Sequence, residues 1–202
     1  METFLHIILV IAAYFLGSIP FGLLLTKHAG MGDVRKIGSG NIGATNVMRM
    51  GNKKIALATL LLDSLKGFII VIIAKLVSAP NWTILLCAVL AVSGHIFPFW
   101  LEFKGGKGVA TTIAVYWALS IPLGLFVSCA WLVLFTMTRI SSFASIVSII
   151  LANVIAMYFG IKGMFFACLF ISIMVVYKHK DNIKRILRGE EKTFSKNKNA
   201  EV

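Results

Sequence analysis

The sequence predicts an all-α fold: a polytopic membrane helix bundle of about seven spans, with its N-terminus outside and its C-terminus cytoplasmic. Three observations predict it. Of the 202 residues 58% are hydrophobic, where an ordinary soluble domain has about half, and mean hydropathy is +0.89. The charge is gathered into a few short segments separated by almost purely apolar runs, and in lipid only helices or closed barrels satisfy the backbone of such runs. The basic residues also fall on alternate connections, as cytoplasmic loops do.

The first apolar run, Phe4 to Leu25, has no Lys or Arg before Lys27. A cleaved secretory signal carries basic residues at that place, so this run is expected to stay as the first span. Six further segments follow, roughly 55–77, 82–100, 109–119, 122–137, 143–160 and 164–177. A full crossing takes about 17–25 residues. The fourth segment is too short, and is either re-entrant or borrows residues from its flanks; the fifth and seventh are marginal. Joining the fourth and fifth would leave five or six spans and invert part of the topology. With seven, the segments 26–54, 101–108, 139–142 and the tail from Lys178 lie inside, and they hold 17 of the 20 Lys and Arg. Only Lys75 and Lys162 lie on outer turns, and Lys66 lies within a span.

Residues 1–188 are read as one transmembrane domain and 189–202 as a polar, disordered cytoplasmic tail. Lys180 to Arg188 is basic and partly amphipathic, suited to anionic headgroups. A net charge of +12 would suggest nucleic acid in a soluble protein. Here the cations sit between spans and chiefly set topology, so no nucleic-acid partner is expected. Cys87, Cys129 and Cys168 fall inside apolar stretches with no CxxC pair or Cys/His cluster. They are read as small buried hydrophobes, without disulfide or metal.

Three polar constellations interrupt this pattern on the inner face. The first runs from Gly38 through Ser39, Gly40, Asn41, Gly43, Thr45 and Asn46 to Arg49. Glycines let successive N–H groups turn toward one point, a helix start near Asn41 to Thr45 favours an anion, and Arg49 offers a two-pronged phosphate contact. The Gly-Lys-Ser/Thr ending of a Walker loop is missing. The second, Lys104-Gly105-Gly106-Lys107-Gly108, sets two cations around a glycine pair just before an apolar helix. Its bland alternative is an interfacial turn with snorkelling lysines. In the third, His179 and Asn182 stand three residues apart at the end of the last span. His179 suits a general base or an orienting role, with Ser141 and Ser142 at another span end on the same side. Within the spans, Asp63 and Lys66 can pair at i,i+3, and His95 is either a site residue or a packed one. His28 and Asp33 match the spacing of a soluble glycerolipid acyltransferase pair, but four small or flexible residues separate them and no such domain follows. That match is read as chance.

Together these residues resemble the bacterial acylphosphate:glycerol-3-phosphate acyltransferase family over nearly the whole chain. The markers are Gly17-Ser18-Ile19-Pro20-Phe21-Gly22, Gly38 to Arg49, Asp63-Ser64-Leu65-Lys66-Gly67, Gly94-His95-Ile96-Phe97-Pro98, Gly105-Gly106-Lys107-Gly108-Val109-Ala110-Thr111 and His179-Lys180-Asp181-Asn182-Ile183. The resemblance implies transfer of a fatty acyl group from acyl phosphate to the 1-hydroxyl of glycerol 3-phosphate. The products are lysophosphatidic acid and phosphate, and the reaction begins phospholipid synthesis at the bacterial inner membrane. It implies no cofactor, metal, acyl-CoA or acyl carrier protein, and no obligate protein partner. The roles expected are phosphate binding by Ser39, Arg49 and Lys107, with backbone donors from Gly40 to Gly43. Asn41, Thr45 and Asn46 shape the loop or touch substrate, Lys104 is a secondary phosphate contact, and His179, Asn182 and Ser142 orient the glycerol hydroxyls. The rival reading is a transporter or channel for a phosphorylated metabolite; against it, no inverted repeat is evident and the motifs cluster on one side. A metal-dependent phosphoalcohol transferase uses several aspartates, and this chain has only Asp33, Asp63 and Asp181.

Overall fold

A computed structural model describes residues 2–159 and 163–194. Lys162 and the tail beyond Phe194 lie outside the described residues. Ten α-helices follow in order: α1 Glu2–Gly17, α2 Phe21–His28, α3 Ala44–Arg49, α4 Lys53–Leu76, α5 Asn81–Ile96, α6 Val109–Leu119, α7 Ile121–Thr138, α8 Ser141–Phe159, α9 Met164–Lys178 and α10 Lys180–Leu187. Each of the seven apolar segments is mainly helical where described, the first broken at 18–20 and the third at 97–98. The helices α4, α5 with its 3₁₀ extension, α7 and α8 are long and apolar enough to cross a bilayer. The pair α1–α2, bent by 46°, makes a fifth if counted as one span, while α6 and α9 are shorter apolar helices.

The bend has a local cause. Pro20 has no N–H for the helical ladder, and Ser18 turns its hydroxyl back to the Phe15 carbonyl at 2.7 Å. Just before it α1 and α5 touch backbone to backbone. A Cβ on Gly17 would lie 2.2 Å from the Ala91 carbonyl oxygen, and one on Gly94 2.2 Å from that of Tyr14. Such small-residue contacts hold helices together where lipid removes the hydrophobic drive.

The core carries small side chains such as Ala13, Ala74, Cys87, Ala88 and Ala91, closed by Tyr116, Leu123 and Ile171. Large apolar side chains point outward instead: Leu76, Ile121, Met137 and Phe166 are all at least two-thirds exposed. On a soluble protein that girdle would be an aggregation surface; here it is the face for lipid. Cys87 and Cys168 are buried as expected, but Cys129 is exposed, because it falls on the outward side of α7. A second small core of Leu23, Val34, Ile42, Val47 and Ala56 pins the 29–50 connection onto α2 and α4.

The tail expectation covers residues 189–202, of which 189–194 are described. Residues 189–194 fold back on the bundle rather than leaving it. The Phe194 amide donates to the Arg139 carbonyl at 2.9 Å, and its ring meets Phe135 edge-on. Arg139 has φ +58°, so the α7–α8 turn presents that carbonyl to the tail.

Candidate active site

The site lies at the end of the bundle where α8 begins, α9 ends and the loop before α6 arrives. Three of its residues come from short-range consequences of helix ends. Ser142 is the second residue of α8, His179 caps α9, and Asn182 lies in the first turn of α10. All three are buried. Lys107 reaches them from the glycine-rich loop, and its Nζ donates to Asn182 Oδ1 at 2.5 Å.

Glu191 completes the cluster, and sequence reasoning missed it. Its Oε1 accepts from the Ser142 hydroxyl at 2.8 Å and from the Asn182 side-chain amide. Its Oε2 accepts from Arg185 Nε at 2.6 Å. One carboxylate is thus held by a hydroxyl, an amide and a guanidinium, beside a lysine. That donor set is what a phosphate needs. Burial pushes the Glu191 carboxyl up, but the hydrogen bonds from Ser142, Asn182 and Arg185 outweigh it and leave the group below the usual range. The available signals were an acidic pair, Glu190-Glu191, within a basic tail, and Arg185 three residues after Asn182.

Electrostatics define what each group can do. His179 Nδ1 lies 2.8 Å from the Val175 carbonyl. A carbonyl only accepts, so Nδ1 carries the proton and Nε2 keeps its lone pair. Burial, with the Lys107 ammonium adding to it, pushes the imidazole down to about 4, so it is neutral at pH 7. Burial likewise pushes Lys107 down to about 8; Glu191 opposes the fall, and the nearby charges of Arg185 and Arg49 deepen it. Arg49, the last residue of α3, is near enough for its charge to act on Lys107.

The Gly38–Asn46 loop is organised by one side chain. Asn46 is buried; its Oδ1 accepts the Ser39 amide at 2.9 Å, and its Nδ2 sits 2.9 Å from the carbonyls of Val34, Ile37 and Asn41. It holds the loop's shape and has no surface left for substrate. Asn41 also shapes the loop, since its Oδ1 accepts the Gly43 amide at 2.8 Å. Two of the expected backbone donors are consequently engaged: Gly43 by Asn41, and Gly40 by the Ile37 carbonyl at 3.0 Å. Closing the turn requires them. Ser39, Thr45 and Arg49 remain exposed. Lys104 is not brought to the cluster; it is exposed and paired with Glu102 at 3.0 Å.

An apolar groove runs along the outer face between α8 and α9, lined by Ile150, Leu169, Ile173, Val176 and Tyr177 with Asn153 and Ser172 at its floor. Its upper end, Tyr177, lies two residues from His179. Among the described residues no group of three or more His, Cys, Asp or Glu side chains is arranged to hold a metal ion.

Fold and site describe a helical membrane protein with a cluster of cationic and hydrogen-bonding side chains at one end of its bundle. The comparisons name the family. Residues 7–189 match the family model described as glycerol-3-phosphate acyltransferase. A glycerol-3-phosphate acyltransferase of Erythrobacter litoralis is 50% identical over 186 residues, which cover 91% of this chain and 92% of that one. One from Bartonella henselae is 46% identical, covering 91% and 89%. The fold is similar to the crystal structure of PlsY (YgiH), an integral membrane glycerol 3-phosphate acyltransferase, in its glycerol 3-phosphate form. The TM-score is 0.89 and the identity 40%, over 94% of this chain and 96% of that one. The form of the same enzyme with lysophosphatidic acid gives a TM-score of 0.87 at 39% identity, over 94% and 95%. The chain belongs to the glycerol-3-phosphate acyltransferase family.

Proposed function

We propose that this protein transfers a fatty acyl group from acyl phosphate to the 1-hydroxyl of glycerol 3-phosphate, releasing phosphate and lysophosphatidic acid. The observation that carries this reading is the Glu191 carboxylate, an anion held by Ser142, Asn182 and Arg185 next to Lys107 and a neutral His179. The same donors suit a substrate phosphate, and the family supplies its identity. Arg49 and Lys107 bind phosphate oxygens, with Ser39 and Thr45 in support.

In the reaction the 1-hydroxyl oxygen bonds to the acyl carbon as the bond from that carbon to the phosphate oxygen breaks. The hydroxyl proton passes to His179 Nε2 or to the departing phosphate. Phosphate is a good leaving group, so no enzyme nucleophile is needed, and positioning with charge stabilisation suffices. The acyl chain lies along the groove between α8 and α9, which is apolar and faces lipid.

Seven passes fit this reading: the helices after α3 alternate in direction, with the ends of α5, α7 and α9 and the starts of α6 and α8 meeting at the site. The loop before α6 adds length to that short helix. The bias of basic residues sets the N-terminus outside and the site toward the cytoplasm of a bacterial inner membrane. The test uses purified protein in detergent with both substrates. Release of phosphate dependent on glycerol 3-phosphate is expected; flux across sealed vesicles without acyl transfer would replace the enzyme by a transporter.

A further inference from the structure

Three ionisable side chains lie deep in the bundle and take no part in the reaction above. Asp63, Lys66 and His95 are each no more than 4% exposed. Lys66 Nζ pairs with Asp63 Oδ1 at 2.8 Å, and His95 Nδ1 stands 3.6 Å from the same oxygen. Burying such groups is expensive, and apolar replacements of similar volume often leave a fold equally stable or more so. Stability alone therefore does not explain them.

Each end of the cluster touches one of the two anion-binding segments. Lys66 Nζ donates to the Ile19 carbonyl at 2.8 Å, in the break that turns α1 into α2. Two residues past that break, Gly22 packs on the first loop so closely that a Cβ there would stand 1.9 Å from the Ile42 carbonyl oxygen. At the other end the second loop wraps His95. The Gly106 amide donates to the His95 carbonyl at 3.0 Å, and a Cβ on Gly106 would lie 2.0 Å from His95 Nε2. Gly106 directly precedes Lys107. Asp63 ties in the helix that follows, because the Thr111 hydroxyl donates to its carbonyl at 2.9 Å.

We propose that Asp63, Lys66 and His95 form a positioning unit that sets the separation of the two phosphate-binding arms, the loop carrying Arg49 and the loop carrying Lys107. They act through backbone and glycine contacts and do not touch substrate. The inference rests on the phosphate-binding reading of Arg49 and Lys107. A small shift of such arms is enough to matter, since misplacement by about 1 Å can lower a rate about a hundredfold.

The experiment measures thermal unfolding, kcat and both substrate KM values on the purified full-length protein in detergent. Asp63→Leu/Lys66→Met and His95→Ala are expected to keep the unfolding midpoint within a few degrees while raising the KM of at least one phosphate substrate about tenfold or more. Gly106→Ala is expected to raise the same KM by forcing its new methyl against His95. That added effect is expected to be largely lost in the Gly106→Ala/His95→Ala double variant, where the ring is gone. Multiplicative effects of those two changes, or KM values unmoved in stable variants, overturn the proposal. Should His95→Ala not fold, Asp63→Leu/Lys66→Met and the Gly106→Ala/His95→Asn pair decide it in the same way. Arg49→Ala and Lys107→Ala serve as controls. If they retain normal transfer the phosphate reading fails, and this inference with it; if they lose transfer while the cluster variants keep normal KM values, this inference fails alone.

Discussion

The two glycine-rich segments look alike in sequence and differ physically. The Gly38–Asn46 loop is closed on itself. Asn46 gathers three carbonyls and one amide, while the cation it serves, Arg49, stays at the surface. The Gly105–Gly108 segment has no such internal hub. It is moulded on the end of α5, and its cation, Lys107, is half-buried and partly stripped of water. One segment is an exposed loop closed by Asn46 with a guanidinium at its end. The other is a desolvated charge that depends on its neighbours and on pH. A buried charge acts through a lower effective dielectric than an exposed one, so the two arms should contribute unequally.

The largest predicted effect tests that inequality. Lys107→Ala should lower kcat/KM by about 10²–10³, the range for removing one donor aimed at developing charge in a water-poor site. Arg49→Ala should lower it less, by about 10- to 100-fold, because water partly replaces an exposed guanidinium. Steady-state phosphate release checks both. Equal losses would dissolve the distinction between the arms.

The next prediction breaks the first arm without touching its charge. Asn46→Ala leaves the Ser39 amide and several carbonyls without their partner, at about 1–3 kcal/mol for each buried group left unpaired. The loop should lose its shape, and kcat/KM should fall about tenfold or more. The unfolding of the bundle should change little, because the hydrogen bonds of the Asn46 side chain go to Val34, Ile37, Ser39 and Asn41 in the same connection. A large fall in the unfolding midpoint would show that the loop is not a separate unit.

The third prediction concerns pH. Lys107, lowered to about 8 by burial, is charged below that pH and loses its proton as pH rises through it. Phosphate binding should weaken in the same window, giving kcat/KM an alkaline limb near pH 8. Lys107→Arg should move that limb beyond the measurable range, since a guanidinium stays protonated, whatever it does to the absolute rate. His179, lowered to about 4, should add no limb near the ordinary histidine range. A limb unmoved by Lys107→Arg would assign it to another group.

The helices and the grouping of four polar residues were legible in the sequence because both rest on local rules. Apolar runs became helices, Pro20 bent the first of them, and Lys107, Ser142, His179 and Asn182 converged because each sits at a helix end on the same side. What stayed hidden depends on where side chains point. From sequence Asn46 either shapes the loop or touches substrate, and only its side-chain bonds show it as the loop's internal scaffold, because an amide can satisfy a backbone as readily as a ligand. Glu191 sat in a segment polar enough to read as disordered, yet its hydrogen bonds draw the tail onto α8. Neither contact has a sequence period or spacing that announces it.

Lys104 makes the last and smallest prediction. It stands three residues from Lys107 in the same glycine-rich segment, and from sequence it ranks second to Lys107 as a phosphate contact. The turn between them separates their fates. Glu102 and Phe103 both take positive φ, which swings Lys104 outward to pair with Glu102, while Lys107 is carried inward past Gly106. An exposed ion pair of this kind contributes little, because water and salt screen it. Lys104→Ala should therefore leave kcat/KM within about twofold, and its alkaline limb should stay near that of the unaltered protein. A loss approaching that of Lys107→Ala would mean that Lys104 swings inward when substrate arrives, and the second arm would then carry two cations instead of one.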